Sequence, residues 1–270
     1  MTSPEQLAAH HGPLRSRVGG AFPGRRAVFR GHDLHRDLKD LSWLNLYLFG
    51  ITGRRFNDDE LRLLDAIWTY TSYPDTRLWN NRVAALAGST RSSGALGIAA
   101  ALAVSEASIY GGQIIIAIAD FLTRAKARCD AGETLANLVA AHMHSHRGMP
   151  GYGRPVRRMD EDERNGPLLT LAAKAGLADG PHLQLARDIE TILVAGRWRM
   201  RMNYAALTAA LSLDLGLSPR DHYLYMLPVF LAGMPPCYLD ALDRPAGATL
   251  PLSCEQIHYT GPPRRRLNEQ

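Results

Sequence analysis

The stretch Met149-Pro150-Gly151-Tyr152-Gly153-Arg154-Pro155-Val156-Arg157 decides how this chain reads. Prolines at 150 and 155 forbid a continuing helix, and the Gly-x-Gly pair lets backbone approach a neighbour more closely than any side chain allows. On both sides apolar residues return at three-to-four spacing, over Leu135–His142 before it and Leu168–Leu177 after it. The stretch is therefore a fixed loop between two helices. It runs into a basic cluster of Arg154, Arg157, Arg158 and Arg164, which favours an anionic ligand over a bare surface.

Outward from the loop, the same helical period governs Leu61–Trp68, Leu96–Leu122, Leu183–Val194 and Leu207–Leu217. Asp58-Asp59-Glu60 suits a helix N-terminus, Gly132 and Gly180-Pro181 mark further starts, and Gly176 and Gly216 fall where C-caps belong. Period-two alternation is confined to short pieces around Arg26–Arg30 and Gln256–Tyr259. The expected fold class is all-α. Gly94–Ala103 is dense in small residues, which suits either a buried central helix or a dimer seam. Residues 1–17 and 267–270 read as frayed ends.

At 270 residues and 46% apolar content the chain can bury a sizeable core. No uncharged apolar run reaches the length of a bilayer span, because Glu106 and Asp120 interrupt the most apolar stretch. The N-terminal residues lack the basic start and apolar stretch of a signal peptide. Cys129, Cys237 and Cys254 are too widely spaced for a disulfide framework or a zinc pattern, so a reduced, cytoplasmic protein is expected. The net charge of +5 does not point to nucleic acid. Only Lys39, Lys126 and Lys174 are lysines among the 31 basic residues, and the arginine clusters are scattered without interleaved aromatics. His142, His144 and His146 fan apart on a helix and make a poor metal set, and Cys237 reads as a buried thiol.

Several blocks, in order, resemble the citrate synthase and citryl-CoA lyase family. Phe29-Arg30-Gly31-His32-Asp33-Leu34 looks like the early [YF]-R-G-[YH]-D-[IL] segment, and Leu46–Gly50 with Asp58–Leu61 like the helix and turn that follow. Ser105–Gly112 is similar to the helix leading into L-H-G-G. Pro150–Arg164 is similar to P-G-F-G-H-P-x-x-K-x-D-P-R. Asn203–Gly216 is similar to N-x-D-G with its following D-L-G, and Tyr259–Arg264 to the closing Y-x-G-P-x-x-R. The resemblance implies a large helical domain (18–122 and 221–266) and a small CoA-binding one (123–220), with a cleft between them, a flexible arm over 1–17, and a homodimer.

It also implies chemistry at the α-carbon of a CoA thioester. A carboxylate base, donors aimed at developing oxyanions, and arginines for the acid's carboxylates are required. The residues standing in those places differ. Tyr110 replaces the enolate histidine of L-H-G-G, and either donates into an oxyanion hole or packs locally. Arg154 replaces the second histidine; it clamps an anion or is a solvated loop arginine, and in either case cannot shuttle a proton. The base is lost: an ungapped match puts Ala205 on the family's aspartate, and a two-residue slip puts Asn203 there. Asp240 and Glu106 are the substitutes to consider.

Tyr110, Arg154 and Asn203 are thus the expected catalytic positions. Pro150, Gly151, Tyr152, Gly153, Arg157 and Arg158 are the expected coenzyme A contacts, and Arg164 the carboxylate holder. The expected ligands are an acyl-CoA and a small carboxylic acid, as substrates, with no tightly bound cofactor and no metal. Two functions follow: altered or weak carbon–carbon chemistry on a CoA thioester, or a non-catalytic homologue with a structural or regulatory role.

Overall fold

The computed structural model describes residues 3–9, 12, 15–109, 111–154, 161–248, 254–256 and 258–265. Helices dominate. In chain order they are α1 (Pro4–Ala8), α2 (Trp43–Thr52), α3 (Asp58–Thr71), α4 (Trp79–Ser89), α5 (Gly94–Val104), α6 (Gly112–Asp130), α7 (Leu135–Ser145), α8 (Asn165–Lys174), α9 (Pro181–Ala195), α10 (Tyr204–Asp214), α11 (Pro219–Met226) and α12 (Met234–Leu242). A small antiparallel sheet, β1 (Gly19–Phe22), β2 (Arg26–Phe29) and β3 (His32–Asp33), pairs Gly19 with Phe29 and Val28 with Asp33. The alternation at Arg26–Arg30 is thus β2. The one at Gln256–Tyr259 is not a strand among the described residues: Cys254–Gln256 forms a 3-10 turn.

The expected caps hold. Asp58, Asp59 and Glu60 occupy the first turn of α3, Pro181 opens α9, and Gly176 and Gly216 take left-handed backbone (φ 68° and 78°) after α8 and α10. The apolar run Leu96–Leu122 is not one helix, however. Gly111 turns left-handed at φ 86°, pressed onto the Ser105 carbonyl, which also accepts from the Gly112 amide at 2.9 Å, so α5 and α6 are separate.

The chain groups into two compact units, Met1–Thr69 with Ile114–Leu227, and Tyr70–Gln113 with Pro228–Gln270. The expected divisions at 122/123 and 220/221 follow other lines: the first would cut α6 in mid-helix and the second the opening turn of α11. The arm expected over 1–17 carries the short helix α1.

In the first unit α10 is the central helix. Every residue from Ala206 to Leu213 is buried, and so is Tyr204, whose Oη donates to the Ile67 carbonyl at 3.2 Å. Tyr225 Oη donates to the Leu64 carbonyl and Trp68 Nε1 to the Tyr225 carbonyl, tying α3 to α11. In the second unit α4, α5 and α12 pack around Ala84, Ala101 and Met234. Gly88 lets the Tyr238 carbonyl come against α4, where any Cβ would collide.

Arginine does much of the helix-end work. Arg30 donates to the Gly50 and Ile51 carbonyls at the end of α2, and Arg54 to the Leu215 carbonyl at the end of α10. Arg91 donates to the Leu242 carbonyl at the end of α12 and to the Arg244 carbonyl. A cation with several donors answers both the orphan carbonyls and the negative pole of a helix C-terminus. Part of the arginine excess is therefore structural. Among the described residues no helix is long and apolar enough to cross a membrane, and no group of three metal-ligating side chains occurs.

Candidate functional site

The loop 149–154 lies on the N-terminus of α10, and nearly every group that faces the helix is committed. Gly151 (φ 79°) and Gly153 (φ 78°) both need glycine's backbone freedom. A Cβ on Gly151 would lie 2.7 Å from the Ala206 Cβ and 2.9 Å from Ile118 Cγ1, so the close approach this glycine permits is to α10 and α6. The Gly153 amide donates to the Arg201 carbonyl at 2.6 Å, and the Asn203 amide to the Gly151 carbonyl at 2.9 Å. Tyr152 pairs with Met202 as an isolated antiparallel bridge. Its ring is buried and its Oη donates to the Ala186 carbonyl at 2.8 Å, so this side chain anchors the loop in the core.

Asn203 stands beneath the loop as the N-cap of α10. Its Oδ1 accepts from the Ala205 amide at 3.0 Å and its Nδ2 donates to the Gly153 carbonyl at 2.9 Å. The amide is thereby occupied at both ends in holding helix to loop, and it offers no proton acceptor of a base's strength. Ala205, in the first turn, offers none either.

Two arginines of the basic cluster beside the loop, Arg154 and Arg164, are paired with acids. Arg154 is half-exposed and meets Glu163 at 2.8 Å. Arg164 grips Asp162 with Nε at 2.8 Å and a terminal nitrogen at 2.7 Å, and lies 4.4 Å over the Tyr204 ring. Asp162 is 3% exposed and also accepts from the Tyr204 amide at 3.0 Å, at the very start of α10. Burial works to raise the Asp162 pKa, yet the Arg164 guanidinium and the amides of Tyr204 and Arg164 more than offset it, leaving the carboxyl below its ordinary range. A carboxylate held that firmly is a helix cap and a poor base. Asp162 as a cap is a role sequence reasoning missed: it lies 42 residues before Tyr204, so no local signal marks it.

The remaining positions fall as follows. Pro150 is partly buried at the turn. Tyr110, Arg157 and Arg158 lie outside the described residues. Asp240 is exposed and paired with Arg244 at 2.7 Å, and Glu106 accepts from Gln113 at 3.0 Å. Asp214 of the D-L-G piece is also structural: it accepts from the His182 and Leu183 amides and from His182 Nδ1, capping α9. His142 hydrogen-bonds the Gly148 carbonyl at 3.2 Å and stacks on His146, and its pKa is lowered chiefly by burial. Cys129 and Cys237 are free thiols.

No family model and no curated protein matches the sequence. Solved structures do match in fold. Citryl-CoA lyase from Hydrogenobacter thermophilus superposes with a TM-score of 0.81 at 19% identity, over 94% of this chain and 97% of that one. ATP citrate lyase from Methanothrix soehngenii, in complex with citrate and coenzyme A, gives 0.73 at 16% identity; this chain spans 45% of its length. Citrate synthase from Thermotoga maritima gives 0.63 at 18% identity, over 84% of this chain and 60% of that one. The expected all-α class is thereby met, and the chain carries the citrate synthase-like fold, at the length of a citryl-CoA lyase.

Proposed function

We propose that this protein takes a coenzyme A thioester and a small carboxylic acid at the loop 149–154, with weak or altered carbon–carbon bond formation or cleavage. The observation that carries the reading is the loop's attachment to α10 with Arg154 at its exit, in a fold shared along almost the whole of a citryl-CoA lyase. The Arg154–Glu163 pair is largely solvated, with side chains 36% and 56% exposed, so exchanging Glu163 for an anionic ligand costs little, about 1 kcal/mol or less. In this reading Arg154 and Arg164 hold the acid, Tyr110 donates to the enolate oxygen, and Arg157 and Arg158 meet the coenzyme's phosphates. A base would come from a residue outside α10.

Calorimetry with CoA and acetyl-CoA tests the binding. Heat at millimolar ligand supports it, with a further heat from oxaloacetate that Arg154→Ala should lose; no heat from CoA or acetyl-CoA overturns it. Oxaloacetate release from citryl-CoA, or thiol release from acetyl-CoA with oxaloacetate, tests the chemistry.

A second reading, a non-catalytic homologue that binds ligand or partner without turnover, is favoured by the two positions that the resemblance offers for the base: Asn203 is an amide bonded at both ends and Ala205 a methyl. Binding with neither oxaloacetate release from citryl-CoA nor thiol release from acetyl-CoA and oxaloacetate, unchanged when a carboxylate is supplied by Ala205→Asp, is its expected outcome.

We further propose a homodimer in a reducing, cytoplasmic setting. Helix α5 has no charged residue, and Ala95, Leu96, Ala99, Ala100, Ala103 and Val104 are exposed on it, Leu96 at 72%. Sedimentation should give twice the chain mass and the single-chain mass for Leu96→Glu.

A further inference from the structure

Around Trp43 the first unit presents a surface that the thioester reading does not use. Trp43, the first residue of α2, is 62% exposed, and so large a ring is usually well covered. The ring is nevertheless fixed. It stacks on Tyr47 at 5.2 Å and leans on Trp68 at 5.6 Å; Tyr47 Oη donates to the Leu224 carbonyl at 2.7 Å, and Trp68 stacks in turn on buried Tyr225 at 5.5 Å. Much of its ordering entropy is therefore already lost before any partner arrives, a property of binding hot spots.

Two hollows share this ring in their lining. One, of about 330 Å³, is lined by Phe29, Trp43, Leu46, Tyr47, Gly50 and Ile51 and is apolar. Its floor exists because Gly50 admits the Phe29 ring to 2.7 Å of where a Cβ would stand. The other, of about 520 Å³, has Trp43, Trp68, Leu44 and Leu61 for walls and Asp58 and Asp65 beside them. Arg62 also borders it, but Asp59 draws that guanidinium at 3.7 Å. Indole faces next to carboxylates select an organic cation, and a guanidinium best, since it stacks on the ring and pairs with the acid together. The acidic start of α3 attracts cations locally, against the chain's net charge of +5.

We propose that this surface docks an extended segment of another protein, which places an apolar side chain in the first hollow and an arginine in the second. Two open hollows sharing one fixed tryptophan suit an occupant long enough to reach both.

The test uses the full chain and fluorescent peptides carrying leucine and arginine separated by one, two or three glycines, each with a citrulline counterpart. Fluorescence polarisation should show binding for at least one spacing, weakened roughly tenfold by citrulline. Trp43→Ala should abolish binding at an unchanged melting temperature, and Asp65→Asn should weaken it severalfold; should Trp43→Ala fail to fold, Asp65→Asn alone decides. No binding by any peptide at about 1 mM overturns the proposal, as does citrulline binding equally well. A change of sedimenting mass in Trp43→Ala without peptide binding also overturns it and gives the surface to a second copy.

Discussion

The loop 149–154 and the surface around Trp43 spend their side chains in opposite ways. In the loop Tyr152 is driven into the core, Gly151 is pressed on Ala206, and Asn203 has both ends of its amide tied. Around Trp43 the aromatic rings are braced from behind and left open in front. Groups whose place in the sequence looks catalytic have become ligaments, while a ring with no such pedigree stands ready for contact. Resemblance locates a site's scaffold; only the bonding of each atom tells what remains available for chemistry.

The strongest way to break this contrast is Asp162→Ala. Removing a buried carboxylate that holds Arg164 and caps α10 should cost about 3 kcal/mol, read as a fall in the denaturation midpoint. A loss below about 0.5 kcal/mol would mean the cluster beside the loop is not structural. Next comes Gly151→Ala, where a Cβ meets Ala206 and Ile118 on left-handed backbone; about 2 kcal/mol should be lost.

His222 supplies a control lying in neither region. It is fully buried, neither ring nitrogen has a hydrogen-bond partner among the described residues, and burial pushes its pKa down to about 3. The folded protein therefore prefers the neutral ring. The full stability holds above about pH 6.5, where the unfolded imidazole is also neutral, and is lost as pH falls from there toward 3. Urea midpoints should drop by the equivalent of about 2 kcal/mol between pH 7 and pH 5, and His222→Leu should flatten that slope.

The smallest effects sharpen the contrast most. Glu163→Gln frees Arg154 and should tighten oxaloacetate binding up to about fivefold by calorimetry; weaker binding would mean Arg154 needs Glu163 for its position. Trp43→Ala should move stability by about 0.5 kcal/mol or less, because so much of the ring is in solvent. A large loss there would make the tryptophan a core residue and end its comparison with the loop.

Much of the fold was legible because the apolar period and the punctuation agree: Asp58–Glu60, Pro181, Gly176 and Gly216 all act at helix ends where their chemistry predicts. The split of Leu96–Leu122 was not, since the break depends on the Ser105 carbonyl meeting Gly111, a tertiary contact that periodicity cannot express. Helices α4, α11 and α12 escaped notice because their apolar patterns are short or edged by proline. At the site, the loop could be read directly. That Asn203 and Asp162 cap α10, and that Arg154 leans on Glu163, depends on side chains from separated segments converging, which spacing alone does not encode.

The long reach of the helix-end arginines bears on how the protein is made. Arg54 finds its acceptor 161 residues later and Arg91 finds its own 151 and 153 residues later, while Tyr225 returns across 161 residues to Leu64. Both compact units are stitched from segments far apart along the chain. A ribosome must therefore deliver Leu215 and Tyr225 before the first unit can close, and Leu242 and Arg244 before the second can. Until then the apolar faces of α3, α4 and α5 wait uncovered in the nascent chain, which makes late synthesis the interval in which chaperones matter most to this protein.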